Sequence, residues 1–102
     1  MIFVIATIEL QPGRRQDFLR EFHAIVPAVH REKGCLEYGP AIDTATGISA
    51  QPPLRSDTVT IIEKWESVEA LKDHLAAPHM VEYRPKVKDM VVKTTLHILE
   101  PA

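Results

Sequence analysis

Apolar residues recur along this chain with two different periods. Ile2 to Leu10 (IFVIATIEL) is nearly all apolar and rich in β-branched side chains, which suits a strand. Both alternating sets, Ile2-Val4-Ala6-Ile8 and Phe3-Ile5, are apolar, which predicts a strand covered on both faces. Pro12-Gly13 interrupts the run. From Arg14 to Lys33 the period lengthens: Phe18, Phe22, Ile25, Val26 and Val29 share one helical face. Gly34 stands where a C-terminal cap belongs, and Arg31 and Lys33 complement the helix dipole. Pro27 removes a backbone donor and crowds the His23 carbonyl, so a kink is expected there.

Leu36 to Asp43 is readable as a second strand, irregular or at an edge because of Pro40. Thr44 to Ser56 reads as a loop. Asp57 to Trp65 (DTVTIIEKW) is a third strand. Ser67 caps a short helix reaching about Ala77, with Val68, Leu71 and Leu75 as its stripe. Pro78 ends it, and Pro85 limits any helical turn beyond. Val91 to Leu99 is the fourth strand. The order β-α-β-β-α-β is that of a ferredoxin-like α+β domain with an antiparallel sheet, residues 1–102 forming one domain. Two helices cover only one face of such a sheet, whereas the first strand is apolar on both. A homodimer joined sheet to sheet resolves the mismatch.

Composition narrows the function classes. The chain has 102 residues, one domain's worth, and its 45% hydrophobic and 25% charged content is that of a globular protein. Twelve Lys and Arg face 14 Asp and Glu without blocks of one sign, which argues against a nucleic-acid partner. No apolar run approaches the ~20 residues of a membrane span. The N-terminus lacks a basic signal-peptide segment, and the single cysteine, Cys35, excludes an internal disulfide. A cytoplasmic protein is expected.

Several residues could carry chemistry. Glu63 shares a strand face with Val59, Ile61 and Trp65. If helices cover that face, Glu63 is a buried carboxylate of raised pKa, an acid or base in a pocket; otherwise it is a strand-end carboxylate reaching solvent or a basic partner. His74 borders the apolar stripe of the second helix, either as a general base or as a structural histidine at a boundary. His79, Met80, Tyr83 and Arg84 mix a base, apolar surface, a phenol and a guanidinium, as a pocket wall or a surface loop would. Tyr38 lines a cavity or packs at the dimer interface. Asp73, His74 and His79 lack any recognised ligand spacing, so no metal site is expected. His23, His30 and His97 fit surface, structural or interfacial positions, and Cys35 fits a small buried thiol. No nucleotide, flavin or nicotinamide motif is present.

Taken together, these strings resemble the antibiotic biosynthesis monooxygenase family. The resemblance rests on ATIEL-QPG-R at Ala6 to Arg14, E-x-GCLEY at Glu32 to Tyr38, and above all IIEKWES-VEAL-KDHLAAPHM at Ile61 to Met80. The Thr44–Asp57 loop, IVPAV at Ile25 to Val29 and the ending ILEPA look most like the bacterial quinol monooxygenase branch. The resemblance implies a dimeric α+β barrel and oxygenation of quinols or related aromatic phenols without metal, flavin or other cofactor, molecular oxygen being the co-substrate. By position Trp65, His74 and His79 match the family block and Glu63 its acidic position; for that chemistry His74 is the expected base, with His79 second. Trp65, Tyr83, Tyr38 and Met80 would contact a ring system, and Arg84 or Lys64 would stabilise an oxyanion. Ala6-Thr7-Ile8 lacks the Asn of haem-degrading relatives. An isomerase of a phosphorylated signalling-sugar derivative shares the Pro78-His79 element but differs at Trp65-Glu66-Ser67. A non-catalytic binder of small aromatic molecules would use the same pocket.

Overall fold

The computed structural model describes residues 1–102. The chain runs through β1 (Ile2–Leu10), α1 (Arg15–His30), β2 (Cys35–Ala41), β3 (Thr58–Trp65), α2 (Val68–Ala76), α3 (Pro78–Val87), a 3₁₀ turn (Lys88–Met90) and β4 (Val91–Leu99). The strands pair antiparallel in the order β2-β3-β1-β4, the ferredoxin-like arrangement expected from the sequence.

The pleat decides which side chains meet the helices. Ile2, Val4, Ala6, Ile8 and Leu10 of β1 are buried, and Val59, Ile61, Glu63 and Trp65 of β3 lie on the same face. Phe18, Phe22 and Val29 of α1, Leu71 of α2 and Met80, Tyr83 and Val87 of α3 join them. The other set on β1 is only half-buried at Phe3, Ile5 and Thr7. A single chain therefore covers one face of β1, not both as its composition predicts. The helices also stop short of β4. Leu96 and Ile98, paired with Ala6 and Val4 on the helix face, remain 45% and 51% exposed.

Three local expectations change. Helix α1 ends at His30 instead of Lys33, and Gly34 lies in the turn that follows. Strand β2 runs Cys35–Ala41, earlier than the Leu36–Asp43 read from the sequence. Most consequentially, Pro78 does more than end α2: it is the first residue of α3, which runs through Pro85 to Val87. Proline suits a first helical position, because its missing N–H would be unpaired there anyway. Ala77 before it is extended (φ −62°, ψ 142°), as a residue preceding proline prefers, and this separates the two helices. Pro85 withholds a donor from the Val81 carbonyl, and Val81 stands on the exposed side of the helix, 55% exposed, where a lost backbone bond costs least.

Gly34 fixes how the α1–β2 turn meets α2. Its φ is +85°, a region that L side chains rarely adopt, and a Cβ there would lie 2.6 Å from the Ala70 Cβ. Its carbonyl accepts the Glu66 N–H at 2.8 Å. The turn thus lies directly against the start of α2, whose N-cap Ser67 accepts the Ala70 N–H. Gly34→Ala is expected to cost roughly 2 kcal/mol or more, combining left-handed strain with the Ala70 clash. Chemical denaturation measures this directly.

Candidate active site

A cavity of about 780 Å³ lies between the helix face of the sheet and α3, within the range of small-molecule sites. Ala6, Ile8, Ile61, Phe18, Phe22 and Met80 form its apolar depth, Thr94 and Leu96 come from the uncovered strand β4, and the exposed Leu75 and Val81 come from α2 and α3. The polar groups on its wall are Tyr38, Glu63, His74, Tyr83, Arg84 and Lys88. The Thr44–Ser56 loop contributes nothing to it.

His74 sits in the last turn of α2 and is 2% exposed. Its Nδ1 is 2.8 Å from Glu32 Oε2. The same Glu32 oxygen is 2.7 Å from His79 Nε2 in the first turn of α3. One carboxylate oxygen therefore accepts an N–H from each imidazole. That fixes the His74 tautomer: Nδ1 carries the proton and Nε2 keeps its lone pair. Nε2 has no protein partner, yet no buried side-chain polar atom is left unpaired, so Nε2 opens onto the cavity. Burial holds the His74 pKa below its ordinary value against the opposing pull of Glu32, which keeps the ring neutral at neutral pH. Its ring lies 4.7 Å from the Trp65 ring and 5.2 Å from the Tyr38 ring, centroid to centroid.

Glu63 occupies the middle of the sheet, flanked in register by Val4 and Tyr38. Its Oε1 accepts the Trp65 indole N–H at 2.9 Å, and the residue is 6% exposed. Burial pushes its pKa up to about 7; the indole bond opposes that and the charge of Glu32 adds to it. The helix-covered alternative for Glu63 is thus the one realised. Burial likewise raises the phenols of Tyr38 and Tyr83, so both stay protonated as donors. The raised Glu63 pKa has a stability consequence. Its folded pKa exceeds the ordinary 4.5, so the associated stability is present below pH 4.5 and lost as pH rises through about 7. Glu63→Gln keeps an acceptor for Trp65 and removes the ionisation cost. It is expected to stabilise the protein by about 1–3 kcal/mol at pH 8 and to leave stability at pH 4.5 nearly unchanged. Urea unfolding at the two pH values checks this.

Of the sequence candidates, the structure brings His74, Glu63, Tyr38, Met80, Tyr83 and Arg84 to the cavity wall. Arg84 also donates to the Leu75 carbonyl near the C-terminus of α2, tying α3 to α2. Trp65 and His79 do not line the cavity. Trp65 is fully buried behind His74 and Glu63, so the ring contact expected of it does not occur in this geometry. His79 touches Glu32 instead. Lys64 lies on the opposite face of the sheet, 3.3 Å from Glu37 and over the Phe3 ring, and cannot reach an oxyanion in the cavity. Asp73 is exposed and does not join the two histidines; Glu32 does, its donor atom and those of His74 and His79 lying within 4.8 Å of one another. His30 Nε2 bonds the Tyr38 carbonyl at 2.8 Å, and Cys35 is half-buried, its thiol pKa raised by burial. Glu32 is the residue that the candidate list missed. Its signal was a carboxylate just beyond a helix C-terminus, where the dipole favours cations and an acid needs another reason to stand.

Comparison with known proteins decides the family. The profile of the antibiotic biosynthesis monooxygenase family matches residues 1–86. The chain belongs to this family. The chain is 43% identical over 103 residues to YgiN of Escherichia coli K12, described as a probable quinol monooxygenase, with 99% of this chain and 98% of that protein covered. Its fold is similar to that of a Pseudomonas aeruginosa protein (TM-score 0.82, 25% identity, 99% and 93% coverage). A Methanosarcina mazei protein shares the fold at the same TM-score and 22% identity, with 99% and 92% coverage. Family membership and whole-length similarity identify an oxidoreductase with a monooxygenase role. No helix is long and apolar enough to cross a membrane.

Proposed function

We propose that this protein inserts one atom of molecular oxygen into a quinol or related aromatic phenol without a bound cofactor. The observation that carries the reading is the His74 Nε2 lone pair, fixed by Glu32 and open to an apolar cavity of a size that takes a two-ring aromatic. The relative described as a probable quinol monooxygenase supports the substrate class.

The chemistry balances without an external reductant. A naphthohydroquinone and O₂ give a hydroxynaphthoquinone and water, the quinol supplying all the electrons. His74 Nε2 takes a hydroxyl proton, and Glu32 stabilises the imidazolium. The quinolate is electron-rich enough to pass one electron to triplet oxygen, and the radical pair recombines at carbon as a peroxide. Breaking its O–O bond leaves one oxygen on the ring and releases the other as water. Glu63 ionises near pH 7 and so suits delivery of the proton to that departing oxygen. Apolar walls exclude bulk water and protect the radical pair. Tyr38, Tyr83 and Met80 contact the ring faces, and the Arg84 guanidinium lies where it favours the anion.

The working unit in this reading is a homodimer. Phe3 and Ile5 of β1, with the 44% exposed Ile62 and 48% exposed Leu99, leave an apolar sheet face that a second copy covers. Light scattering at micromolar concentration should give twice the chain mass; a stable monomer removes the dimer. The function is tested by oxygen uptake with a reduced naphthoquinone, corrected for autoxidation. Uptake well above background is expected. Quinone-induced quenching of Trp65 fluorescence without uptake would instead make the cavity a binding site only.

A further inference from the structure

The Glu32–His74–His79 cluster has the composition of a metal centre and lies on the far side of His74 from the cavity. We propose that these three residues bind a divalent transition-metal ion with nitrogen and oxygen preference, Zn²⁺ fitting best, and that occupancy disables His74 as a base.

The donors come from three separate segments: Glu32 from the α1–β2 turn, His74 from α2 and His79 from α3. All three donor atoms lie within 4.8 Å of one another. Ligands at tetrahedral Zn²⁺ stand about 2.0–2.1 Å from the metal, hence about 3.4 Å from each other. To reach that spacing the Glu32 oxygen, now 2.8 and 2.7 Å from the two nitrogens, retreats by roughly 0.6 Å, and the two imidazoles, whose nitrogens lie within 4.8 Å of each other, turn inward onto the ion. The Glu32 side chain is 13% exposed, and the 27% exposed His79 side chain beside it gives an ion its entry. Two imidazoles and one carboxylate leave a fourth position for water, as in open zinc sites.

The ion takes the lone pair of one nitrogen on each ring, so the ring proton resides on the other: on His79 at Nδ1, on His74 at Nε2. The second placement is the consequential one. With Glu32 as partner, the cavity-facing Nε2 is an acceptor; with a metal on Nδ1, that same Nε2 becomes a donor and cannot take a substrate proton. Binding rests on the donor geometry alone, whereas the loss of base function rests on the role proposed for His74.

Calorimetry and thermal unfolding of the metal-free full chain with ZnCl₂ test the site. Tightly stoichiometric one-to-one binding is expected, with Tm raised by about 10 °C at a hundredfold excess over Kd. Even outer partners of a metal cost 10–100-fold, so His79→Gln should weaken binding by at least about a hundredfold. His79 is partly exposed, so this variant should fold. Cys35→Ser should bind as the wild type does, and Co²⁺ should show no thiolate charge-transfer band. Nitrogen-15 spectra should place the His74 proton on Nε2 when zinc is bound. Absence of binding, or binding equal in the His79 variant, overturns the site. His79-dependent binding with quinol oxidation undiminished overturns the switch. If zinc binds through His79 and moves the His74 proton but no quinol is ever oxidised, the site stands and the proposed function fails.

Discussion

His74→Asn is expected to lower turnover of a reduced naphthoquinone by about 10²–10⁴-fold, the range for losing a general base. Asparagine is chosen because its amide N–H can replace Nδ1–H as the donor to Glu32, so the buried carboxylate keeps a partner. What disappears is the acceptor at Nε2. In the wild type the rate should rise with pH as His74 loses its proton, below the ordinary imidazole range because burial lowers its pKa. It should fall again near pH 7 as Glu63 ionises and can no longer supply a proton. The His74 variant should lose the ascending limb. Steady-state oxygen consumption across pH 5 to 9, corrected for substrate autoxidation, reads both effects; a wild-type rate in the variant removes His74 as the base.

Glu32→Ala should cost more in stability than any other single change at the site, roughly 2–4 kcal/mol. It strips the acceptor from His74, 2% exposed, and from His79 at once. An unsatisfied buried donor costs about 1–3 kcal/mol, and the α1–β2 turn loses its tie to both α2 and α3. The imidazolium formed in turnover would also lose its stabilising charge, and the His74 tautomer would no longer be fixed. A further rate loss of at least about tenfold in kcat is expected on top of the stability change. Glu32→Gln retains an acceptor without the charge and separates the two effects: stability should largely recover and turnover should not. Urea denaturation with kinetics on the same preparations makes the comparison. Equal rates in wild type and Glu32→Gln would reduce Glu32 to a structural tie.

The residues legible in the sequence share one property: their information is local. The period of two along Asp57–Trp65 places Glu63 and Trp65 on one face, and the stripe of α2 puts His74 at its border. Periodicity gives a face but not a depth, which is why Trp65 was expected at the cavity wall and stands behind it. Glu32 was hidden for a different reason. Its partners lie 42 and 47 residues away, and only the close approach permitted by Gly34 brings the turn onto α2. Helix α3 was hidden because proline reads as a breaker; Pro78 instead starts the helix, and the bond forfeited at Pro85 belongs to the exposed Val81. The apolar second face of β1 was legible as composition, but a single chain leaves it half covered at Phe3, Ile5 and Thr7.

The most direct test is oxygenation of a reduced naphthoquinone under ¹⁸O₂ by chelator-treated protein, with the product read by mass spectrometry. One labelled oxygen in the product, at a rate unaffected by the chelator and lost in His74→Asn, is the expected result. Unlabelled quinone as the only product, or activity that returns only on adding a metal or flavin, would contradict cofactor-free monooxygenation.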